Sequence, residues 1–335
     1  MPNTRHPRMG SLQFWPRRRA KKAYAKVRTF TKINKTIPVG FAGYKVGMTH
    51  VSYIDNKKSS PTKGEEVSVP VTIIECPPIK IYSVRFYKKT SYGLKVVNEF
   101  LAPNLDKELS RKVTLPKENK KEKIEDIKAE EYDEINVLLY TKPKTTNLGK
   151  KKPEIFEMGL GGSNQEKLDY IKENLEKEIL VENIFEEGQL IDTHAITRGK
   201  GFQGTTKRFG TAIRGRKVEK HKRGAANLGA WTPSKVAYSI NHAGKQGFNT
   251  RTQYNSRILK ISNEPSEIQQ AGGIVAFGEV KGPYILVKGS ITGPKKRLII
   301  FKHALRYNKA KLGEAPSIAH ISTDSKQGWL HWKHK

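Results

Sequence analysis

The stretch RGKGFQGTTKRFG, residues 198–210, contains a literal G-x-G-x-x-G in Gly199, Gly201 and Gly204, set among Arg198, Lys200, Lys207 and Arg208. A glycine-rich turn lets backbone N–H groups come close to phosphate, a property shared by dinucleotide enzymes and nucleic-acid binders. A dinucleotide fingerprint also needs a hydrophobic strand before the turn and an apolar helix after it that packs on the sheet. Here Gly204 is followed by TTKRFGTAIRGRKVEKHKRG, which is too cationic for that helix. No G-x-x-x-x-G-K-[ST] occurs, because Lys200 is followed by Gly and Lys245 by Gln, and there is neither a G-x-S-x-G elbow nor an H-E-x-x-H. The doubly wound α/β enzyme is set aside, and no catalytic residue or cofactor is expected.

The charge around the motif points to a larger ligand. The chain has 335 residues with 63 Lys plus Arg against 32 Asp plus Glu, a formal net charge of +31, which suggests a polyanionic partner. The excess is segregated. Met1 to Ile54 holds twelve Lys or Arg and no acid, and residues 198–257 hold fourteen against the single Glu219. Residues 104–197 hold twenty-one acids and sixteen bases. A mixed run such as KENKKEKIEDIKAEEYDE reads as a solvated helix face. An uncompensated charge of +13 on sixty residues repels itself unless a polyanion neutralises it.

Outside the basic segment the sequence reads mainly as β. PVGFAGYKVGMTHVSY (38–53) suggests a strand, a turn and a second strand, and EEVSVPVTIIECPPIKIYSVRFYKK adds two β-rich runs broken at Pro77 and Pro78. QLIDTHAITRG, SRILKIS, GGIVAFGEV and GPYILVKGSITGPKKRLIIF are further β-branched runs bounded by Gly or Pro. Short, evenly spaced strands on both sides of residues 90–190 argue for a barrel built from separated pieces. The acidic segment reads strand, helix, strand, helix, with EINVLLYT as a strand and SNQEKLDYIKENLEKE as a helix. The expected fold is therefore mainly β with an α/β insertion. The barrel takes 38–90 and 258–305 with 188–197, and the insertion 91–187. A basic arm occupies 1–37, a basic extension 198–257 and a basic tail 306–335. At about 150 residues per domain, this length suits two domains or one with a large insertion.

The segment 198–257 has little apolar periodicity and is expected to become ordered only on a partner. Phe202, Phe209, Trp231, Tyr238, Phe248 and Tyr254 punctuate its positive charge. Such rings stack on unpaired bases while Lys and Arg meet phosphates, although Phe202 and Tyr238 fit a minicore within the segment equally well. Trp231, followed by Thr232 and Pro233, sits at the middle, where a tip is expected. His331 and His334, with His320 near, lack the Cys or acid neighbours of a metal site, and no metal is expected. Cys76 is the only cysteine, which excludes an internal disulfide and fits a reducing compartment. No apolar run reaches the ~20 residues of a membrane helix, and the N-terminus lacks the apolar core of a secretory signal, so a soluble protein is expected. A chromatin-like DNA binder would share the charge but not the aromatic interleaving.

Five motifs in order, GFAGYKVGMTHV (40–51), RGKGFQGTTKRFG (198–210), GAWTPSKV (229–236), HAGKQGFNTRTQYNSRILKI (242–261) and YILVKGSITGPKKRLI (284–299), resemble the universal large-subunit ribosomal protein L3 family in its archaeal or eukaryotic form. The resemblance runs from about Pro38 to Phe301. It implies a six-stranded barrel like the second domain of translation factors, seated on large-subunit rRNA near its 3′ region. It also implies an extension toward the peptidyl-transferase centre with Trp231 at its tip near the aminoacyl-tRNA entry region, an N-terminal arm inside RNA, neighbouring ribosomal proteins as further partners, a role in subunit assembly and a cytoplasmic location. Neither an enzyme nor a homo-oligomer is implied. Eukaryotic members carry His after the tip tryptophan, where this chain has Thr232. The resemblance and the charge together assign rRNA contacts to Arg17, Arg18, Arg19, Lys21 and Lys22 in the arm and to Lys45. In the extension they assign Arg198, Lys200, Phe202, Gln203, Lys207, Arg208, Arg214, Arg216, Lys217, His221, Lys222, Arg223, Trp231, Lys235, His242, Lys245, Arg251 and Arg257. The tip is Trp231, Thr232 and Pro233.

Overall fold

A computed structural model describes residues 9–57, 60–116, 124, 127–218, 220–225, 227–307 and 315–325. It divides into two compact units, Met1–Ala23 with Ile196–Thr250 and Tyr24–Ala195 with Arg251–Lys335. The second unit holds two sheets. The larger is built from β1 (Gly40–Ile54), β2 (Glu66–Glu75), β7 (Leu190–Ile196), β10 (Thr250–Ser262), β11 (Tyr284–Lys288), β12 (Leu298–His303) and β13 (Ile318–Ile321). Their order is β12-β7-β10-β11-β2-β1-β13, and β1 also pairs with β12, so the pairings of six strands return on themselves. The circuit closes with Gly40 opposite Lys302 and Tyr44 opposite Leu298. Strands β11 and β12 are nearly continuous buried runs, with Phe301 packed between Phe41 and Phe185 at 6.0 and 5.4 Å between ring centroids.

The strand, turn and strand expected over 38–53 are one unbroken fifteen-residue strand, β1. Its glycines make close contacts rather than turns. A Cβ on Gly40 would stand 2.4 Å from the Phe301 carbonyl oxygen, and one on Gly43 would stand 2.6 Å from Ile74 Cγ2 and 2.8 Å from the Glu75 carbonyl oxygen. Glycine in this strand therefore reports neighbouring chains pressed against it. GGIVAFGEV, expected as a strand, is a tight turn in which Ile274 and Gly278 form an isolated bridge.

The smaller sheet has the order β4-β3-β5-β6, from β3 (Ile79–Thr90), β4 (Gly93–Leu101), β5 (Glu134–Thr141) and β6 (Ile155–Gly159). Strand β3, expected with the barrel strands, pairs instead with β4 and β5; the Pro77–Pro78 break releases it from β2. The central β5 is buried along almost its whole length. One helix follows, α1 (Asn164–Asn174), where Ser163 and Glu166 form a capping box and Leu168 and Ile171 face inward. Half of the helix expected in KENKKEKIEDIKAEEYDE lies outside the described residues, and of the rest Ala129–Glu131 form only a short 3-10 turn before Glu134 opens β5. The two sheets share one hydrophobic cluster, and Tyr44 Oη and Thr141 Oγ1 lie 3.0 Å apart across it. The acidic insertion matches part of its charge internally, as in Lys142 with Glu178 at 2.6 Å and Lys144 with Glu108 at 3.2 Å.

Two boundaries move. Strand β10 begins at Thr250, so the extension expected over 198–257 overruns it, and Arg251 and Arg257 belong to that strand. The expected tail contains β13, which pairs with β1 at Val51 opposite Ile321. Trp329, His331, Trp332 and His334 lie outside the described residues.

Candidate nucleic-acid interface

The first unit joins two segments almost two hundred residues apart in the chain. The extension starts as an antiparallel ladder: Thr197 N–H donates to the Asn249 carbonyl at 3.0 Å, Lys200 N–H to Gln246 at 2.9 Å and Gln246 N–H to Gly201 at 2.9 Å. The ladder continues into β8 (Phe202–Gln203) and β9 (Gly244–Lys245). Of the G-x-G-x-x-G glycines, only Gly201 has a positive φ, +69°. Gly204 precedes the five-residue helix α2 (Thr205–Phe209), which ends at Gly210 with φ +71°. The close approach falls at Gly247 instead, where a Cβ would stand 2.0 Å from the Arg198 carbonyl oxygen.

The arm lies on this ladder. Ala20 N–H donates to Phe248 O at 2.8 Å, Asn249 Nδ2 to Arg18 O at 2.8 Å and Asn241 Nδ2 to Met9 O at 3.2 Å. At the centre is the buried Phe209, stacked on Trp15 at 5.8 Å and 10°. The Arg17 guanidinium stands 4.2 Å from the Phe209 ring centroid, while Arg17 Nη1 donates to the Arg208 carbonyl at 2.9 Å. Tyr238 meets Trp15 edge-on at 6.3 Å. Of the two rings that fit a minicore equally well in the sequence, Tyr238 meets Trp15 and Phe202 is exposed; Phe209 and Trp15 were missed as its members, and the signal was QFWP, aromatic residues within the arm's positive run. Phe209→Ala should destabilise this unit by about 3 kcal/mol, seen as faster amide hydrogen exchange at Ala20 and Gly210.

The remaining cations are arranged around this small core. The unit contains nineteen Lys or Arg against one acid, Glu219. Arg18, Arg19, Lys21, Lys22, Arg198, Lys200, Lys207, Arg216, Lys217, His221, Lys222, Arg223, Lys235, His242 and Lys245 are exposed. Arg208 and Arg214 are half-buried and brace the loop: Arg208 donates to the Lys245 and His242 carbonyls at 3.1 and 2.8 Å, and Arg214 to Ala225 O at 3.1 Å. Gln203 Nε2 donates to Lys200 O at 2.6 Å, and Phe202 is largely exposed. Residues 227–238 are exposed throughout, with Trp231 92% exposed above a turn in which Ser234 N–H donates to its carbonyl at 2.8 Å.

Lys45 is a correction. Expected at the RNA, it is buried in the second unit, where its ammonium donates to the carbonyls of Ile291 and Gly293. Burial and the neighbouring Lys295 lower its pKa. Its position within a strand facing a chain of carbonyls gave no sign in the sequence. Arg251 and Arg257 lie half-buried on β10; burial lowers the pKa of Arg251.

The protein thus combines a mainly β unit with a strongly cationic unit assembled from an arm and a loop. The family model for "Ribosomal protein L3" matches residues 1–328. The uL3 large-subunit ribosomal protein of Methanobrevibacter smithii is 47% identical over 330 residues, 96% of this chain and 98% of that protein. Those of Methanosphaera stadtmanae and Archaeoglobus fulgidus are 46% and 45% identical over similar spans. The chain belongs to the ribosomal protein L3 family, whose members are structural ribosomal proteins and not enzymes.

Proposed function

We propose that this chain is a structural constituent of the large ribosomal subunit, and so a cytoplasmic protein, that binds large-subunit rRNA near its 3′ region and supports subunit assembly. The observation that carries this is the cationic unit, in which nineteen Lys or Arg from two remote segments face one acid. No protein partner of ordinary composition offsets such a field, whereas converging RNA phosphates do. In this reading the closed circuit of six strands is the translation-factor-like barrel, and the extension is the chain between its strands β7 and β10. The exposed span 227–238 carries Trp231, Thr232 and Pro233 toward the peptidyl-transferase centre and the aminoacyl-tRNA entry region. The exposed lysines and arginines meet phosphates, Phe202 and Trp231 offer rings for stacking, and neighbouring ribosomal proteins cover part of the second unit.

Cosedimentation tests the reading: the protein should travel with large subunits and be released as salt rises, with log affinity falling linearly in log salt. Protein absent from sedimented large subunits at low salt would overturn it. Trp231 buries almost nothing, so Trp231→Ala should assemble at normal occupancy and change chemical probing of the catalytic-centre RNA. An unchanged footprint would remove Trp231 from that role.

A further inference from the structure

One part of the smaller sheet carries charge opposite to the acidic segment that follows it. Between Cys76 and Asn98 there are five Lys or Arg and no acid. Three of them, Lys88, Lys89 and Lys95, belong to the hairpin of β3 and β4. The register sets Lys88 directly opposite Lys95 and Thr90 opposite Gly93, leaving Ser91 and Tyr92 as the loop. Gly93 stands at φ +110°, a conformation that favours glycine, and Thr90 Oγ1 donates to its carbonyl at 2.8 Å. The turn is a built structure. It presents Tyr92 fully to solvent, and the three lysines are exposed beside it.

Like charges facing each other across an antiparallel pair weaken it, and a tyrosine at a turn tip that buries nothing adds nothing to the fold. Both features become favourable against a polyanion with stackable rings. None of the three lysines has a carboxylate partner among the described residues. Asp133 accepts the Lys89 backbone N–H at 2.6 Å, and Lys88 Nζ lies 5.9 Å from the Tyr132 ring centroid. Leu94, Val96 and Val97 of β4 are exposed on the same hairpin, and the cluster of three cations around an exposed ring is the pairing that single-stranded nucleic acid rewards. We propose that the β3–β4 hairpin is a second rRNA-binding site, where Lys88, Lys89 and Lys95 neutralise phosphates and Tyr92 stacks on an unpaired base. This rests on the rRNA-binding reading above and extends it to a segment outside the cationic unit.

The test uses the full chain, with deproteinised large-subunit rRNA as the probe and binding measured across a KCl series. Replacing the three lysines together by alanine should weaken binding about tenfold or more at low salt and reduce the salt slope by about 2. Tyr92→Ala should weaken it roughly 5- to 100-fold with the slope unchanged, and Tyr92→Phe should restore it. None of the three variants should have a denaturation midpoint below that of the wild type, since the triple replacement also removes the Lys88–Lys95 repulsion. A triple variant that binds with wild-type affinity and slope, while the wild-type protein binds tightly, overturns the hairpin site alone. A wild-type chain that fails to bind this RNA overturns the broader reading and the hairpin with it. Normal RNA binding combined with a hairpin crosslink to another ribosomal protein in assembled subunits assigns the hairpin to a protein contact and also overturns the proposal.

Discussion

Gly40→Ala is expected to destabilise the second unit by about 3 kcal/mol or more, the upper range for forcing extra atoms into a packed site. The added Cβ would stand 2.4 Å from the Phe301 carbonyl oxygen and 3.0 Å from Lys302 Cα, so the atoms that must give are backbone. They are also the atoms where β12 meets β1 and the circuit of six strands closes. Relief therefore requires the two strands to separate, which removes ladder hydrogen bonds and wets Phe41 and Phe301, both fully buried. Denaturant titration of the full chain checks this. Gly64→Ala is the contrasting control: Gly64 has a positive φ of +84° but nothing within 4 Å of an added Cβ, so its cost should stay near ~1 kcal/mol. A Gly40→Ala variant that unfolds at the Gly64→Ala midpoint would mean that β1 and β12 do not close as described.

Excising residues 199–248 and bridging 198 to 249 with a short Gly-Ser linker should leave the second unit folded with an unchanged midpoint while lowering affinity for large-subunit rRNA more than about 100-fold at low salt. The ends to be bridged are already neighbours, since Thr197 N–H donates to the Asn249 carbonyl at 3.0 Å. The excision takes away eleven Lys or Arg and one acid, and the salt slope falls by roughly 0.7 to 0.9 for every phosphate that the shortened chain leaves unneutralised. Carrying the cut on to residue 255 is a different experiment. It removes the first six residues of β10, Thr250–Asn255, and should unfold the larger sheet. Measuring both variants separates loss of the RNA-binding surface from loss of the fold; equal affinity of the shorter excision and the wild type would sink the interface.

The β character and the cationic extension were legible because alternation, β-branched runs and uncompensated charge are local properties of sequence. What escaped was set by contacts remote in the chain. The glycines of GFAGYKVG look like turn residues until the strands beside them are known, and only then do Gly40 and Gly43 become points of close packing. Lys45 has the same local appearance as a phosphate ligand, and its burial depends on carbonyls at 291 and 293. Strand β3 could not be assigned to its sheet from its own residues, because β-propensity does not name a partner. The union of the arm with the extension through Trp15, Arg17 and Phe209 depends on residues almost two hundred positions apart, beyond any periodicity. The middle position of Trp231 was readable from the loop's length alone.

The pairing of β1 with β12 also sets the timing of biogenesis. Roughly 250 residues separate the two strands, and at synthesis rates of about 5–20 residues per second the later strand follows the earlier by about 12 to 50 seconds. Throughout that interval the nascent chain exposes an unpaired, apolar strand edge next to a basic arm that is already synthesised. Newborn copies of this protein are for that time both sticky and polycationic, and whatever shields them must accommodate the two hazards together.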